Sequence, residues 1–251
     1  MRSSSSSLKL ERALIVLTSI VGFAQNVGST IEYDHRQWKV IKQVTASFGT
    51  TVGAFDVELL ESLSQTGESG TGDPMYDVQL LIREADKVDY EFTNSANERL
   101  PDETAGFYMD DGLEIKDVTN DGIPETLFHS GFLAVSDFEI VEHVLRYDRA
   151  HRSFTDVAPT SFYNSGTHGL RWLDIGRRTF AVTADRNWSP TVAVEDRCHY
   201  CASPFQYDIY QWSEKAASFV KLRRLFGQKS YDDATAALGG DWVLIQAGLK
   251  H

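Results

Sequence analysis

The chain is poor in cysteine, in positive charge and in long apolar runs, and each shortage removes a class of protein. Cys198 and Cys201 are the only two cysteines in 251 residues. That excludes a scaffold built on many disulfides, and a structural zinc site would need four ligands where His199 is the only nearby addition. Lys and Arg number 24 against 36 Asp and Glu. Such an acidic field attracts cations and repels nucleic-acid phosphates and anionic membrane surfaces, so a nucleic-acid partner is not expected. After the first two dozen residues no apolar run approaches the roughly 20 residues that cross a bilayer as a helix.

Those first residues form a distinct segment. Arg2, Lys9 and Arg12 give a basic start, and Ala13 to Ala24 is an almost unbroken apolar run ending on the small residues Gly22 and Ala24. The run is too short for a membrane span and carries the small-residue pattern of a cleavage site, which predicts a signal peptide over 1–24 and a mature chain beginning at Gln25. An uncleaved anchor is the alternative. Removing three basic side chains and one acidic moves the formal charge from −12 to −14. The expected location is secreted or periplasmic, with 25–251 a single β-repeat domain. In that oxidising setting the Cys-His-Tyr-Cys spacing of Cys198 and Cys201 suits a small structural disulfide, with free thiols, a redox pair or a metal role as the other readings.

Three segments share a shape, Leu80 to Phe92, Glu142 to Phe154 and Tyr207 to Phe219, beginning 62 and then 65 residues apart. Each reads as strand, polar turn and strand ending on Phe. Apolar stretches precede them at 52–60, 113–128 and 170–182. Runs rich in Val, Ile, Phe, Tyr and Thr, broken by Asp, Gly and Asn, read as strands, and recurrence at this period is how propellers and other repeat folds announce themselves. The expected fold is all-β, built of propeller-like repeats of antiparallel strands, an incomplete β-propeller being one form of it. Helical signals are few. The best covers Tyr231 to Leu238, ahead of Gly239-Gly240. Loops are expected over 65–74, 93–106 and 183–197.

The strongest motif is Asp117-Val118-Thr119-Asn120-Asp121-Gly122-Ile123-Pro124-Glu125. It sets oxygen-bearing side chains at positions 1, 3, 5 and 9 around a glycine at position 6. A hard divalent cation takes six to eight oxygens at about 2.3–2.6 Å, and a tight loop with alternate side chains turned inward supplies several of them. The alternative is a bare Asp-Gly hairpin turn, which has no use for three crowded carboxylates. With Leu113-Glu114-Ile115 before it and Thr126-Leu127-Phe128 after it, the segment resembles the FG-GAP or VCBS-type repeat. That resemblance implies blades of the integrin-like β-propeller with calcium held between neighbouring strands. It implies side-chain ligands from Asp117, Thr119, Asp121 and Glu125, and the backbone carbonyl of Ile123. The corresponding place in the next unit, Trp172 to Gly176, keeps an Asp and a Gly but not the other oxygens.

Other chemistry is marked faintly. His129, His143 and His168 have no defined partner in the sequence. The glycine-punctuated loops at 129–131 and 165–169 lack the Gly-x-Ser-x-Gly elbow of hydrolases. His143 reads as a partly exposed strand residue. Carboxylate pairs for glycoside cleavage can be drawn from Asp110, Asp111, Asp137, Glu139, Asp174 and Asp185, but their separation is not readable in one dimension. Of five tryptophans, Trp172 and Trp212 read as core, while Trp188 sits in polar sequence and is the candidate ligand contact. The whole reads as an exported, calcium-binding, propeller-like binding or scaffold module of the cell envelope, its candidate partner a glycan or a protein. A polysaccharide-active or other hydrolytic enzyme, with its site near His129 and His168, is the alternative.

Overall fold

The computed structural model describes residues 22–23, 27–49, 53–65, 67–68, 74–94, 106–108, 112–133, 138–188 and 201–249. Chain order gives β1 (Gly22–Phe23), β2 (Thr30–Tyr33), β3 (Arg36–Ser47), β4 (Ala54–Ser62), β5 (Gly67–Glu68), β6 (Pro74–Met75), β7 (Val78–Glu84) and β8 (Lys87–Asn94). A second group follows: β9 (Gly106–Tyr108), β10 (Glu114–Lys116), β11 (Glu125–Leu133), β12 (Phe138–Asp148), β13 (Ser153–Asp156) and β14 (Tyr163–Asn164). The third is β15 (His168–Ile175), β16 (Arg178–Arg186), β17 (Ser203–Ser213) and β18 (Ser218–Tyr231), and then α1 (Ala234–Gly240) and α2 (Trp242–Leu249).

The pairing turns these into three four-stranded antiparallel meanders, β3-β4-β7-β8, β10-β11-β12-β13 and β15-β16-β17-β18, with β1, β2, β9 and β14 added at edges. The fold is all-β and propeller-like. The strands alternate as buried strands must: in β16, Phe180, Val182 and Ala184 face one way and Ala181 and Thr183 the other. Each sheet can therefore offer an apolar surface on both sides, and the sheets pack in succession. Phe48, Phe55, Leu80 and Ile82 of the first meet Phe128, Leu145, Tyr147 and Phe154 of the second. Val118, Leu127 and Val144 of the second meet Ala181, Trp212 and Phe219 of the third, with Phe162 between. The outer face of the third sheet is covered by Ala234, Ala237, Leu238 and Ile245 of the two helices.

The three repeated segments are the hairpins β7-β8, β12-β13 and β17-β18. In the last two the repetition is residue for residue: Tyr147 pairs with Phe154 as Trp212 pairs with Phe219. Arg152 and Ala217, each just before the Ser-Phe step, both take positive φ, at 50° and 46°. The first hairpin is tighter. Glu84 pairs with Lys87 and Phe92 with Leu80, so Phe92 is not the counterpart of Phe154.

Several boundaries differ from the sequence reading: Gly67–Glu68 pairs with Pro74–Met75 in the loop expected over 65–74, and β8 runs to Asn94 in the one expected over 93–106. Residues 183–186, expected in a loop, continue β16, because Thr183, Asp185 and Arg186 pair with Asp208, Gln206 and Phe205. Arg186 is buried there and donates to Ser203 Oγ (3.0 Å) and to the carbonyls of Cys201 and Asp232. Tyr231 ends β18, and α1 begins three residues later behind Asp233, whose carboxylate accepts the Ala236 N–H at 2.7 Å. The second helix starts behind Asp241, a residue type favoured at helix starts, although the sequence reading places no helix beyond Gly239-Gly240. It is fixed by packing and by Asp241, which accepts from Tyr207 at 3.0 Å and Tyr231 at 2.8 Å.

Candidate functional site

The acidic loop is the first hairpin connection of the second sheet, between β10 and β11. Lys116 pairs with Glu125 at its base. Asn120 and Gly122 both turn left-handed, with φ of 64° and 84°. Asp117 pins that turn: one carboxylate oxygen accepts the Asn120 N–H at 2.6 Å and the other the Gly122 N–H at 2.9 Å. Asp121 accepts the Ile123 N–H at 2.7 Å. Glu125 is fully buried; it accepts the N–H groups of Val118 and Thr119 at 2.9 and 3.2 Å and the Thr119 hydroxyl at 2.9 Å. Burial pushes its carboxyl up to about 8, against the pull of those three donors and with the Asp121 charge adding to the rise.

The loop is also a joint. Asn120 accepts the Thr179 N–H at 2.7 Å, and Lys116 reaches Asp174 at 3.0 Å, so the loop rests on the first turn of the third sheet. Arg146 bridges Asp121 (2.9 Å) and Glu214 (3.0 Å) of the β17-β18 turn. Asp174, the counterpart of Asp117, serves this joint and stands away from the carboxylate cluster.

For a hard cation the donor set fits. Asp117, Asp121 and Glu125 each offer a carboxylate oxygen, all within 4.8 Å of one another. That is the spread of oxygens lying about 2.3–2.6 Å from one shared ion. A divalent ion would offset the crowding of three anions and the burial of Glu125. Thr119 differs from a plain ligand, since its hydroxyl proton goes to Glu125 and only its lone pairs face elsewhere. Ile123 packs its side chain on the core between the first two sheets.

The remaining sequence candidates divide. Cys198, His199, Asp110, Asp111 and Asp137 lie outside the described residues, so the Cys198–Cys201 pairing does too. Trp188 is half-buried at the end of β16, with the Arg186 guanidinium 5.7 Å from its ring centre. His129 lies 2.6 Å from Glu142, which also accepts from Trp172 at 3.2 Å across the seam between the second and third sheets. Glu139 lies on β12.

His143 lies on β12 and is only partly exposed, as expected, but it has partners that the sequence does not mark. Its side chain is 12% exposed, stacked on Phe128 at 4.4 Å, and bonded at both ring nitrogens. Nδ1 lies 2.6 Å from Asp156, and Nε2 lies 2.6 Å from Ser130 Oγ. A carboxylate at Asp156 only accepts, so Nδ1 carries a proton, and in the neutral ring Nε2 then accepts from Ser130. This relay was invisible in the sequence: three neighbouring strands bring together residues 13 apart twice over, and no local motif marks them.

The fourth place is a polar pocket in the seam between the second and third sheets. It encloses about 330 Å³, with His168, Asp185 and Asp208 from the third sheet and Tyr163 from β14 among its walls. His168 stacks on Tyr163 at 4.0 Å. The sequence had marked His168 and Asp185 separately, and the β15-β16 register pairs them directly.

No family model matches the chain, and no curated protein matches it. Among solved structures, the crystal structure of CarG is similar over 53% of this chain and 92% of that one, at 12% identity and a TM-score of 0.40.

Proposed function

We propose that the chain is an exported β-repeat module, stapled by calcium at Asp117, Asp121 and Glu125, that binds a glycan or protein partner at or beyond the cell envelope. The observation that carries this is the place of the loop. Its carboxylates hold the loop's own backbone, while Asn120, Lys116 and Arg146 beside them join the second sheet to the third, a place suited to a structural ion. Asp117, Asp121 and Glu125 would hold the ion, with Thr119 and the Ile123 carbonyl completing the set that the resemblance implies. The ion would supply positive charge where three acids meet a buried seam.

The signal-like segment over 1–24 supports export, and export in turn favours a Cys198–Cys201 bridge. Alkylation of the unreduced protein followed by intact-mass measurement tests the bridge, and uptake of alkylating agent at both cysteines would refute it. The decisive experiment for the staple is thermal melting in calcium and in chelator.

One observation favours a hydrolase instead. Ser130, His143 and Asp156 have the hydrogen-bond order of a nucleophile, base and orienting acid. Against it, Ser130 lies within β11 and is buried, and the two aromatic rings of Phe92 and Phe128 pack on the imidazole at 4.8 and 4.4 Å. Labelling by a serine-directed fluorophosphonate that disappears in Ser130→Ala would establish the hydrolase and displace the binding-module reading.

A further inference from the structure

The face of the third sheet that looks toward the second is apolar where Leu170, Trp172 and Ala181 pack, and turns polar farther along β16. There His168, Asp185 and Gln206 form one cross-strand row, and Thr183, Asp208 and Arg224 the next. These rows floor the pocket of about 330 Å³, near the small end of ligand sites. Thr179, at the acidic loop, and Asp185, at the pocket, are six residues apart on β16, roughly 20 Å at the rise of a strand. The two sites thus occupy opposite ends of one seam.

His168 decides what the pocket accepts. Its side chain is 8% exposed. Nε2 lies 3.1 Å from the Ser161 carbonyl, which only accepts, so Nε2 carries the proton and Nδ1 of the neutral ring is a lone pair. Burial holds the ring's pKa below its ordinary value, which keeps it neutral. Among the described residues Nδ1 has no hydrogen-bond partner. Asp185 Oδ1, 4.0 Å away, is a second acceptor and cannot serve it. Two acceptors side by side call for a ligand that brings donors.

The charges narrow the class. Arg224 grips Asp208 through two bonds of 2.7 Å, and Lys221 adds a third at 3.1 Å. With Asp185 the count is two anions against two cations around a neutral imidazole. Such a site offers no surplus positive charge to a phosphate and no surplus negative charge to a cation. Thr183 and Gln206 can both donate and accept.

The second sheet shows that the opening is specific to the third. Its ladder places Ser130, His143 and Asp156 where the third has Asp185, Asp208 and Lys221. In the second sheet those side chains bond one another and Phe92 packs over them, leaving no acceptor unmet.

We infer that this pocket binds one neutral saccharide unit, two of its hydroxyls donating to His168 Nδ1 and Asp185 Oδ1. The assignment rests on the binding-module reading and gives it a ligand class. Titration calorimetry of the exported protein with neutral di- to tetrasaccharides, with inorganic phosphate and 1,4-diaminobutane alongside, tests it in wild type and in Asp185→Ala. Asp185 is half exposed, so that variant should fold. The expected result is saccharide binding weakened at least 10-fold in the variant, with a shift of the His168 Nδ1 nitrogen resonance in wild type. Equal binding by both proteins with no His168 shift would overturn the pocket and leave the module reading standing. Binding of phosphate or diaminobutane alone, or of no probe at all, would overturn the saccharide class, while calcium-dependent melting judges the module separately. Cleaved saccharide in the cell would overturn the module and keep the ligand class.

Discussion

Glu125 and Phe180 hold the same step of successive sheets. Glu125 pairs with Lys116 across β10-β11 as Phe180 pairs with Leu173 across β15-β16. One unit puts an aromatic ring at this buried place and the other a carboxylate. A buried acid is costly unless bonded or paired, and Glu125 is bonded three times within a loop that carries two more acids.

Calcium should therefore raise the melting temperature. At a hundredfold excess over Kd, linkage gives about 2.7 kcal/mol, several degrees for a chain of this size. Asp121→Ala and Glu125→Gln should each remove the rise. Differential scanning calorimetry in calcium and in chelator checks this, and identical melting of the wild type in both would end the staple reading.

Acidification should weaken the fold through His168. The groups facing it are Tyr163, Asp185 and Asp208, the last engaged by Lys221 and Arg224. Desolvation lowers the folded pKa of the ring, with Asp185 opposing. The unfolded chain then binds the proton more readily, so this contribution is whole above about pH 6.5 and is lost as pH falls through the lower folded value. Urea unfolding between pH 7.5 and 5 should show a steeper loss in wild type than in His168→Gln. Equal slopes would count against a buried neutral ring.

Ser130→Ala would leave His143 Nε2 as a buried acceptor with no donor from that strand. The expected cost is about 1–3 kcal/mol, read by chemical denaturation, with saccharide binding unchanged. A variant as stable as wild type would show that the Ser130–His143 bond contributes nothing to the seam.

Ala217 is exposed and sits at φ of 46°. A β-carbon in the left-handed region costs about 1–2 kcal/mol, partly offset by the greater freedom glycine brings to the unfolded chain. Ala217→Gly should stabilise by about 0.5 kcal/mol in urea titration. Destabilisation would mean that the turn relaxes in solution. Arg152 has the same backbone but also pairs with Glu84 at 2.5 Å, so its replacement mixes two effects.

The hairpins were legible because period-two alternation and polar turns are local. The Asp117 to Glu125 loop was legible for the same reason: its carboxylates bond backbone within a few residues. What escaped depends on neighbours far along the chain. Asp185 and Arg186 look like loop residues until Gln206, Phe205 and Ser203 stand beside them. Ser130, His143 and Asp156 acquire a relation only when β11, β12 and β13 are laid in register. The helix from Trp242 to Leu249 is held by Asp241 and by the face it covers, and a string of residues shows neither.

That covering has an architectural consequence. Sheets here stack by pressing apolar faces together, and nothing in such a scheme limits how many follow. Leu238, Ala237 and Ile245 occupy the surface against which a fourth sheet would dock. The helices act as a terminus for the series on that side, and at the other end Ile31 and Tyr33 of β2 fold over Trp38, Val40, Leu60 and Leu81, so among the described residues both outer faces are covered by the chain itself.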